Sequence, residues 1–159
     1  MQHFLGVGMH GSMKALVGIA ALWMATTGVQ AQTAPVCPVI PASSGLTWEH
    51  RPAGNADFCR ALRADGTEAF AVFIARKAPF KPQRSDRAET GTIDGREIYW
   101  YRSEIAGRPG VQSRETLIEL ADGRFAHVSM QAPDAGALGD IMGQTRNLQF
   151  GPAARLSSN

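Results

Sequence analysis

The sequence predicts an α+β domain, in which an antiparallel β-sheet of about six or seven strands packs against a C-terminal α-helix. Three observations lead to this fold class. The dipeptide Asp-Gly occurs at residues 65–66, 94–95 and 122–123, each time between segments of strand character. Residues 69–75 are apolar on both faces, which is typical of a central strand. The segment after Pro133 repeats apolar residues at helical spacing.

The three Asp-Gly pairs predict tight hairpins, because this dipeptide tolerates the positive φ angles of a two-residue type I′ turn. Around the first pair, such a turn brings together an opposite-charge pair and an aromatic pair, Arg63 with Glu68 and Phe58 with Phe73. Residues 55–64 also fit a helix capped by Asn55. Strand and helix therefore remain alternatives for residues 56–64.

The third hairpin has the clearest predicted register. A two-residue turn at Asp122-Gly123 pairs Ile118 with His127 and places both on one face of the sheet, with Leu120 and Phe125. Leu117, Val128 and Met130 then fall on the opposite face, beside Glu115 and Glu119.

The C-terminal helix is predicted from Asp134, its N-cap, to Phe150. Apolar residues recur through this segment on one helical face. The globular domain accordingly covers residues 32–150, and residues 151–159 are expected to be a disordered tail.

Residues 1–31 are expected to be a cleavable signal peptide. Lys14 provides the positive n-region, residues 15–25 form an apolar segment of signal-peptide length, and cleavage follows Ala31. We expect the true start at Met13, because the residues before it add nothing to this pattern. A retained membrane anchor is the alternative, but the apolar segment is short for a bilayer.

The two cysteines, Cys37 and Cys59, are expected to form a disulfide bond, as cysteine pairs in exported chains commonly do. A metal-binding or redox pair is the alternative, but their spacing is far from Cys-x-x-Cys. Signal peptide and disulfide together predict a bacterial protein that is periplasmic or secreted.

The charge balance excludes a dominant electrostatic role for the whole chain. Removal of residues 1–31 leaves fifteen basic and fourteen acidic residues, a net charge of +1. A chain this close to neutrality has no global field that favours nucleic acid or anionic membranes.

Catalytic and cofactor motifs are weak. His50 and His127 are the histidines of the mature chain, and either is a candidate general base or, less readily, a metal ligand. Two histidines fall short of the three or four protein ligands that zinc sites use, so no metal is expected. The sequence has neither a Gly-x-Ser-x-Gly motif nor a glycine-rich phosphate loop between strand and helix, so no cofactor is expected.

Two surfaces are candidates for binding. One is aromatic and comprises Trp48, Tyr99, Trp100 and Tyr101. The other is a basic loop at residues 76–87, which has five cations against one acid and includes Lys81, Arg84 and Arg87. The alternatives are that Trp100 belongs to the core and that the loop is ordinary solvated surface.

These observations favour a non-catalytic module that binds another envelope or secreted protein, of the inhibitor or immunity type, with an acidic face. An envelope hydrolase that uses a histidine and a carrier of a small ligand are the alternative functions.

Overall fold

The computed structural model describes residues 36–105, 107–108 and 110–151. The expected signal peptide and the expected tail beyond Gly151 lie outside these residues. The elements in chain order are β1 (Thr47–Ala53), β2 (Ala56–Leu62), β3 (Glu68–Ala75), β4 (Arg87–Ile93), β5 (Arg96–Arg102), β6 (Gln112–Glu119), β7 (Phe125–Ala132) and α1 (Ala135–Thr145).

The strands form one antiparallel sheet in the order β1-β2-β3-β7-β6-β5-β4, and α1 follows at the C-terminus. The fold class is therefore α+β, as the sequence predicts. Residues 56–62 are a strand, so the helical alternative for this segment is wrong. They pair with β1 on one side and with β3 on the other.

The β6–β7 register differs by one residue from the predicted register. The main-chain N–H of Leu120 donates to the carbonyl oxygen of Arg124 at 2.8 Å, so the loop has three residues. Gly123 closes this loop in the left-handed region, at φ 76°. His127 consequently pairs with Leu117, and the predicted Ile118–His127 pair is wrong.

The other two Asp-Gly loops differ from each other. Ile93 pairs with Arg96, so Asp94 and Gly95 form a two-residue loop with φ angles of 51° and 75°. The β2–β3 loop has three residues instead, because the Arg63 N–H donates to the Thr67 carbonyl oxygen. Leu62 then lies opposite Glu68, which displaces the predicted Arg63–Glu68 pair. A bulge next to Ala61 restores the predicted pairing of Phe58 with Phe73.

The helix is shorter than predicted. Asp134 is its N-cap, and its Oδ1 accepts the N–H of Ala137 at 2.9 Å. The helix ends at Thr145, not at Phe150. The segment that follows is bridged to the N-terminal segment by Val39 and Gln149, and it buries Leu148 and Phe150.

One side of the sheet, which we call the helix side, carries the core. Its buried side chains come from all seven elements between β2 and α1 and from the C-terminal segment. The central members are Phe70, Val72, Ile74, Trp100, Ile118, Ala126, Val128, Met130, Leu138 and Ile141. We call the opposite side, where none of the described helices packs, the loop side. None of the described helices is long and apolar enough to cross a membrane.

The disulfide bond ties the N-terminal segment to β2. Cys37 and Cys59 are bonded, with their Cα atoms 5.8 Å apart and a sequence separation of 22 residues. Trp48 reinforces this attachment, because its indole N–H donates to the Pro38 carbonyl oxygen at 2.6 Å. Closing a loop of this length stabilises a fold by about 3 kcal/mol in the chain-entropy model.

An ion pair joins β4 to β6 across β5. The guanidinium of Arg114 donates to both carboxylate oxygens of Glu89, each at 2.7 Å. The Arg114 side chain is 9% exposed and that of Glu89 is 45% exposed. The hydrogen bonds from Arg114 lower the pKa of Glu89, and the same bonds raise the pKa of Arg114. The pair therefore holds the outer hairpin against the central strands at this end of β5.

Substitution of Glu89 by Gln tests this ion pair through pH. The folded state lowers the pKa of Glu89. The ion pair therefore contributes to the unfolding free energy above the unfolded pKa of Glu89, about 4.3, and this contribution is lost as the pH falls further. At pH 7 we expect the unfolding free energy of the wild type to be higher than that of Glu89→Gln by about 1 kcal/mol. The difference is modest because solvent around the half-exposed Glu89 screens the ion pair. Denaturant titrations should show this difference shrinking below about pH 4. A difference that is constant with pH would contradict the assignment.

Trp100 depends on a glycine in the neighbouring strand. A Cβ on Gly91 would lie 2.5 Å from the indole nitrogen of Trp100, which is 1% exposed. We expect Gly91→Ala to lower the unfolding free energy by about 2–3 kcal/mol through overpacking. Gly139→Ala is the control, because a Cβ at Gly139 meets nothing within 4 Å. It should be neutral or stabilise α1 by up to about 1 kcal/mol. Equal effects of the two substitutions would contradict the packing argument.

Candidate functional site

The loop side of the sheet carries the candidate site. The β6–β7 register places His127 and Leu117 opposite each other on this side. The β3–β7 register places Phe73 next to His127. Residues 76–86 between β3 and β4 cross this side, and the ring of Phe80 lies over its centre. The Phe80 ring centroid is 5.1 Å from that of His127 and 6.2 Å from that of Tyr101.

His127 is oriented by a carboxylate. Its Nε2 lies 2.9 Å from Oε2 of Glu115, and the two side chains are 18% and 21% exposed. A carboxylate only accepts hydrogen bonds, so Nε2 carries a proton in this contact. A carboxylate-oriented imidazole is suited to proton transfer. Phe80 covers the ring, however, and the cavity between β5 and β6 that is described below is not lined by a histidine.

The end of the loop is held by a cation–π contact. The guanidinium carbon of Arg87 lies 4.0 Å from the centroid of the Tyr99 ring. Arg102 donates from Nη1 to the Arg87 carbonyl oxygen at 3.2 Å. Tyr99 remains 39% exposed, so its ring is a surface group as well as a contact for the loop. The two tyrosines of the predicted aromatic surface therefore meet the basic loop on the loop side.

The cations of the loop are free of ion pairs within the described chain. The five basic side chains and Asp86 are exposed, and no carboxylate lies within salt-bridge distance of any of the five cations in that part of the chain. The five cations are Arg76, Lys77, Lys81, Arg84 and Arg87. The loop therefore carries a local charge of +4.

The two tryptophans of the aromatic set lie on the other side of the sheet. Trp100 is buried in the core, and Gly91 lies against its ring, so this conformation does not present it to a partner. Trp48 packs edge-on against Phe70, with the ring centroids 5.7 Å apart. The loop-side surface thus includes Tyr99 and Tyr101 but neither tryptophan.

The two histidines are also separated. His50 is exposed in the edge strand β1, and its Nε2 lies 3.0 Å from Oδ1 of Asp57. It shares the face of its partner Cys59, which is the helix side. His50 therefore contributes nothing to the arrangement around His127.

Two residues of the site do not appear among the sequence candidates. Phe80 lies between Pro79 and Pro82 in a basic loop, and an isolated aromatic in such a loop is the signal that identifies an anchor. Glu115 gives no signal of its own, because its contact with His127 depends on the β6–β7 register.

No site for a metal ion is found within the described ranges, where no group of three or more His, Cys, Asp or Glu side chains converges. Comparisons with protein-family models, with curated proteins and with solved structures gave no match to this chain. The geometry of the loop side therefore carries the functional argument.

Substitution of Phe80 by Ala tests whether its ring anchors the loop. We expect backbone amides of residues 76–87 to exchange with solvent at least tenfold faster in Phe80→Ala, since the ring contacts with His127 and Tyr101 are lost. The loss of unfolding free energy should be about 1 kcal/mol, because the ring is half-buried. Lys77→Ala, at an exposed position of the same loop, is the control. Unchanged amide exchange in Phe80→Ala would show that the loop is held by other contacts.

Proposed function

We propose that this protein is a non-catalytic binding module of the bacterial envelope or extracellular space, and that it recognises an acidic face of another protein. The disulfide bond supports an oxidising compartment. The pattern of residues 1–31 supports export and cleavage before the domain. An inhibitor or an immunity protein fits this description.

The observation that carries the proposal is the basic loop, residues 76–87, which packs on the loop side of the sheet. Phe80, Tyr99 and Tyr101 bring aromatic surface next to five cations that have no ion-pair partner in the described chain. Aromatic side chains and arginine are enriched at the centres of protein interfaces. A local positive charge also steers an acidic partner, even though the chain as a whole is nearly neutral.

The attachment of the loop favours binding further. Contacts at Phe80 and at Arg87 restrict the loop before any partner arrives. Ordering a free segment costs roughly 1–2 kcal/mol per residue in backbone entropy, and a loop that is already restricted avoids part of that cost.

A hydrolase that uses His127 is the second candidate, and the Glu115 contact is the observation that favours it. Substrate would have to displace Phe80 to reach the imidazole. His127→Gln tests the hydrolase, because it removes the general base while the basic loop remains. Hydrolysis by the wild type that is lost in this variant would support the hydrolase, whereas a non-catalytic module hydrolyses nothing and keeps its protein binding.

Charge reversal in the loop tests the proposed function. The variant Lys81→Glu/Arg84→Glu leaves Arg87 in place, because Arg87 also holds the loop on Tyr99. Arg108→Glu/Arg146→Glu makes the same change in net charge at exposed positions outside the loop. Each immobilised protein is incubated with envelope extract of the producing bacterium, and the retained proteins are quantified by mass spectrometry.

We expect the wild type and the control to retain the same acidic protein at low salt, and the loop variant to retain at least tenfold less of it. The difference should fall at high salt, since the Debye length shortens from about 30 Å at 0.01 M to about 10 Å at 0.1 M. Two results would overturn the electrostatic role. One is equal retention by all three proteins, and the other is the absence of any protein that the wild type retains and the loop variant does not. A large drop in Tm for the loop variant would show that these cations are structural.

A further inference from the structure

The sheet is interrupted between β5 and β6. These strands have seven and eight residues, but they pair only at Tyr101 with Glu115 and at Arg102 with Arg114. Beyond this point the side chain of Thr116 spans the gap, and its hydroxyl donates to the Tyr99 carbonyl oxygen at 2.9 Å. Residues 96–98 of β5 and 117–119 of β6 line the two sides of the gap, and they form no strand pairs with each other.

The two ends of the outer hairpin are held by different contacts. The ion pair between Glu89 and Arg114 holds β4 and β6 together near the paired end. At the other end, the Phe150 N–H donates to Oδ2 of Asp94 in the β4–β5 turn at 3.3 Å. This end of the hairpin is therefore attached to the C-terminal segment and not to β6.

The resulting cleft has a cavity of about 210 Å³. Tyr99, Tyr101 and Leu117 supply its apolar surface on the loop side. Glu97, Glu119 and Arg96 also line it. Glu97 and Glu119 belong to the loop-side register of their strands, whereas Arg96 belongs to the opposite register. Both carboxylates are exposed, and neither forms an ion pair within the described part of the chain.

The lining matches one class of ligand. Unpaired strand edges bind extended main chain through N–H and carbonyl groups. Two carboxylates beside tyrosine rings suit a cationic side chain. Arg87 on Tyr99 shows that a ring of this cleft accepts a guanidinium on its face.

We propose that the cleft between β5 and β6 binds an extended segment of a partner protein and takes one basic side chain of that segment between Glu97 and Glu119. The main chain of the segment pairs with the free edge of residues 117–119. The proposal rests on the protein-binding function, but the cleft is a separate site from the basic loop, so each can fail without the other.

The test uses the purified protein and the synthetic peptide acetyl-Thr-Val-Arg-Val-Thr-amide, with binding followed by amide chemical shifts in NMR titrations. Two further peptides carry citrulline or glutamate in place of arginine, and both can still form a strand. The variant Glu97→Gln/Glu119→Gln removes the carboxylates, and Glu104→Gln/Asp140→Asn is the control at exposed acids elsewhere.

We expect the arginine peptide to bind with a Kd below about 1 mM and to shift amides of residues 96–99 and 116–119. Binding should weaken at least tenfold for the citrulline peptide and for Glu97→Gln/Glu119→Gln, and it should be unchanged in the control. Lys81→Glu/Arg84→Glu should bind the peptide like the wild type, which separates this site from the loop. Equal binding of all three peptides, shifts confined to other residues, or no saturable binding would overturn the proposal.

Discussion

The register between β6 and β7 determines the chemistry of both sides of the sheet. Side chains alternate along a strand, so a slip of one residue exchanges the side chains that face the core with those that face outward. The three-residue loop closed by Gly123 sets this register. It directs Ala126 and Val128 into the core, and it places His127 on the loop side, within reach of Glu115. The core and the candidate site therefore depend on the same hydrogen bonds.

The two sides of the sheet are covered by segments that are held by different kinds of contact. On the helix side, α1 and the C-terminal segment bury Leu138, Ile141 and Phe150 in a continuous core. On the loop side, residues 76–86 are held by the Phe80 ring and at the end by Arg87, with few main-chain bonds. Segments with few buried contacts open at low free-energy cost, and binding loops are commonly drawn from them. The loop therefore depends on side-chain contacts at Phe80 and Arg87, whereas the sheet beneath it is held by main-chain pairing.

The fold class follows from the sequence because it depends on local signals. The Asp-Gly pairs mark the loops, the apolar segment 69–75 marks a central strand, and Asp134 caps the helix where predicted. The registers do not follow, because Asp-Gly occurs in two-residue and three-residue loops alike, and the choice depends on packing of the strands. Because the register could not be predicted, the side-chain contact between Glu115 and His127 could not be predicted either.

The candidate site was accessible from the sequence only in part. Composition identifies the basic loop and Tyr99 with Tyr101, since charge and aromatic content are local properties. The isolated aromatic Phe80 marks an anchor in the loop, but its contact with β5 and β7 joins segments far apart in the chain, so the sequence does not show what it packs against. The cleft between β5 and β6 is less predictable still, because it results from contacts at both ends of the outer hairpin, at Glu89 and at Asp94.

In the proposed complex, the charges on the loop side fix the orientation of the partner. The loop carries a charge of +4, whereas the cleft is lined by two carboxylates, Glu97 and Glu119, against one cation, Arg96. Tyr99 touches Arg87 and also lines the cleft, so the two regions are adjacent and one partner can reach both. A partner with an acidic patch beside a basic segment matches this pattern in one orientation, and the reversed orientation sets like charges against each other. Such repulsion adds specificity that attraction to a uniformly basic surface does not supply.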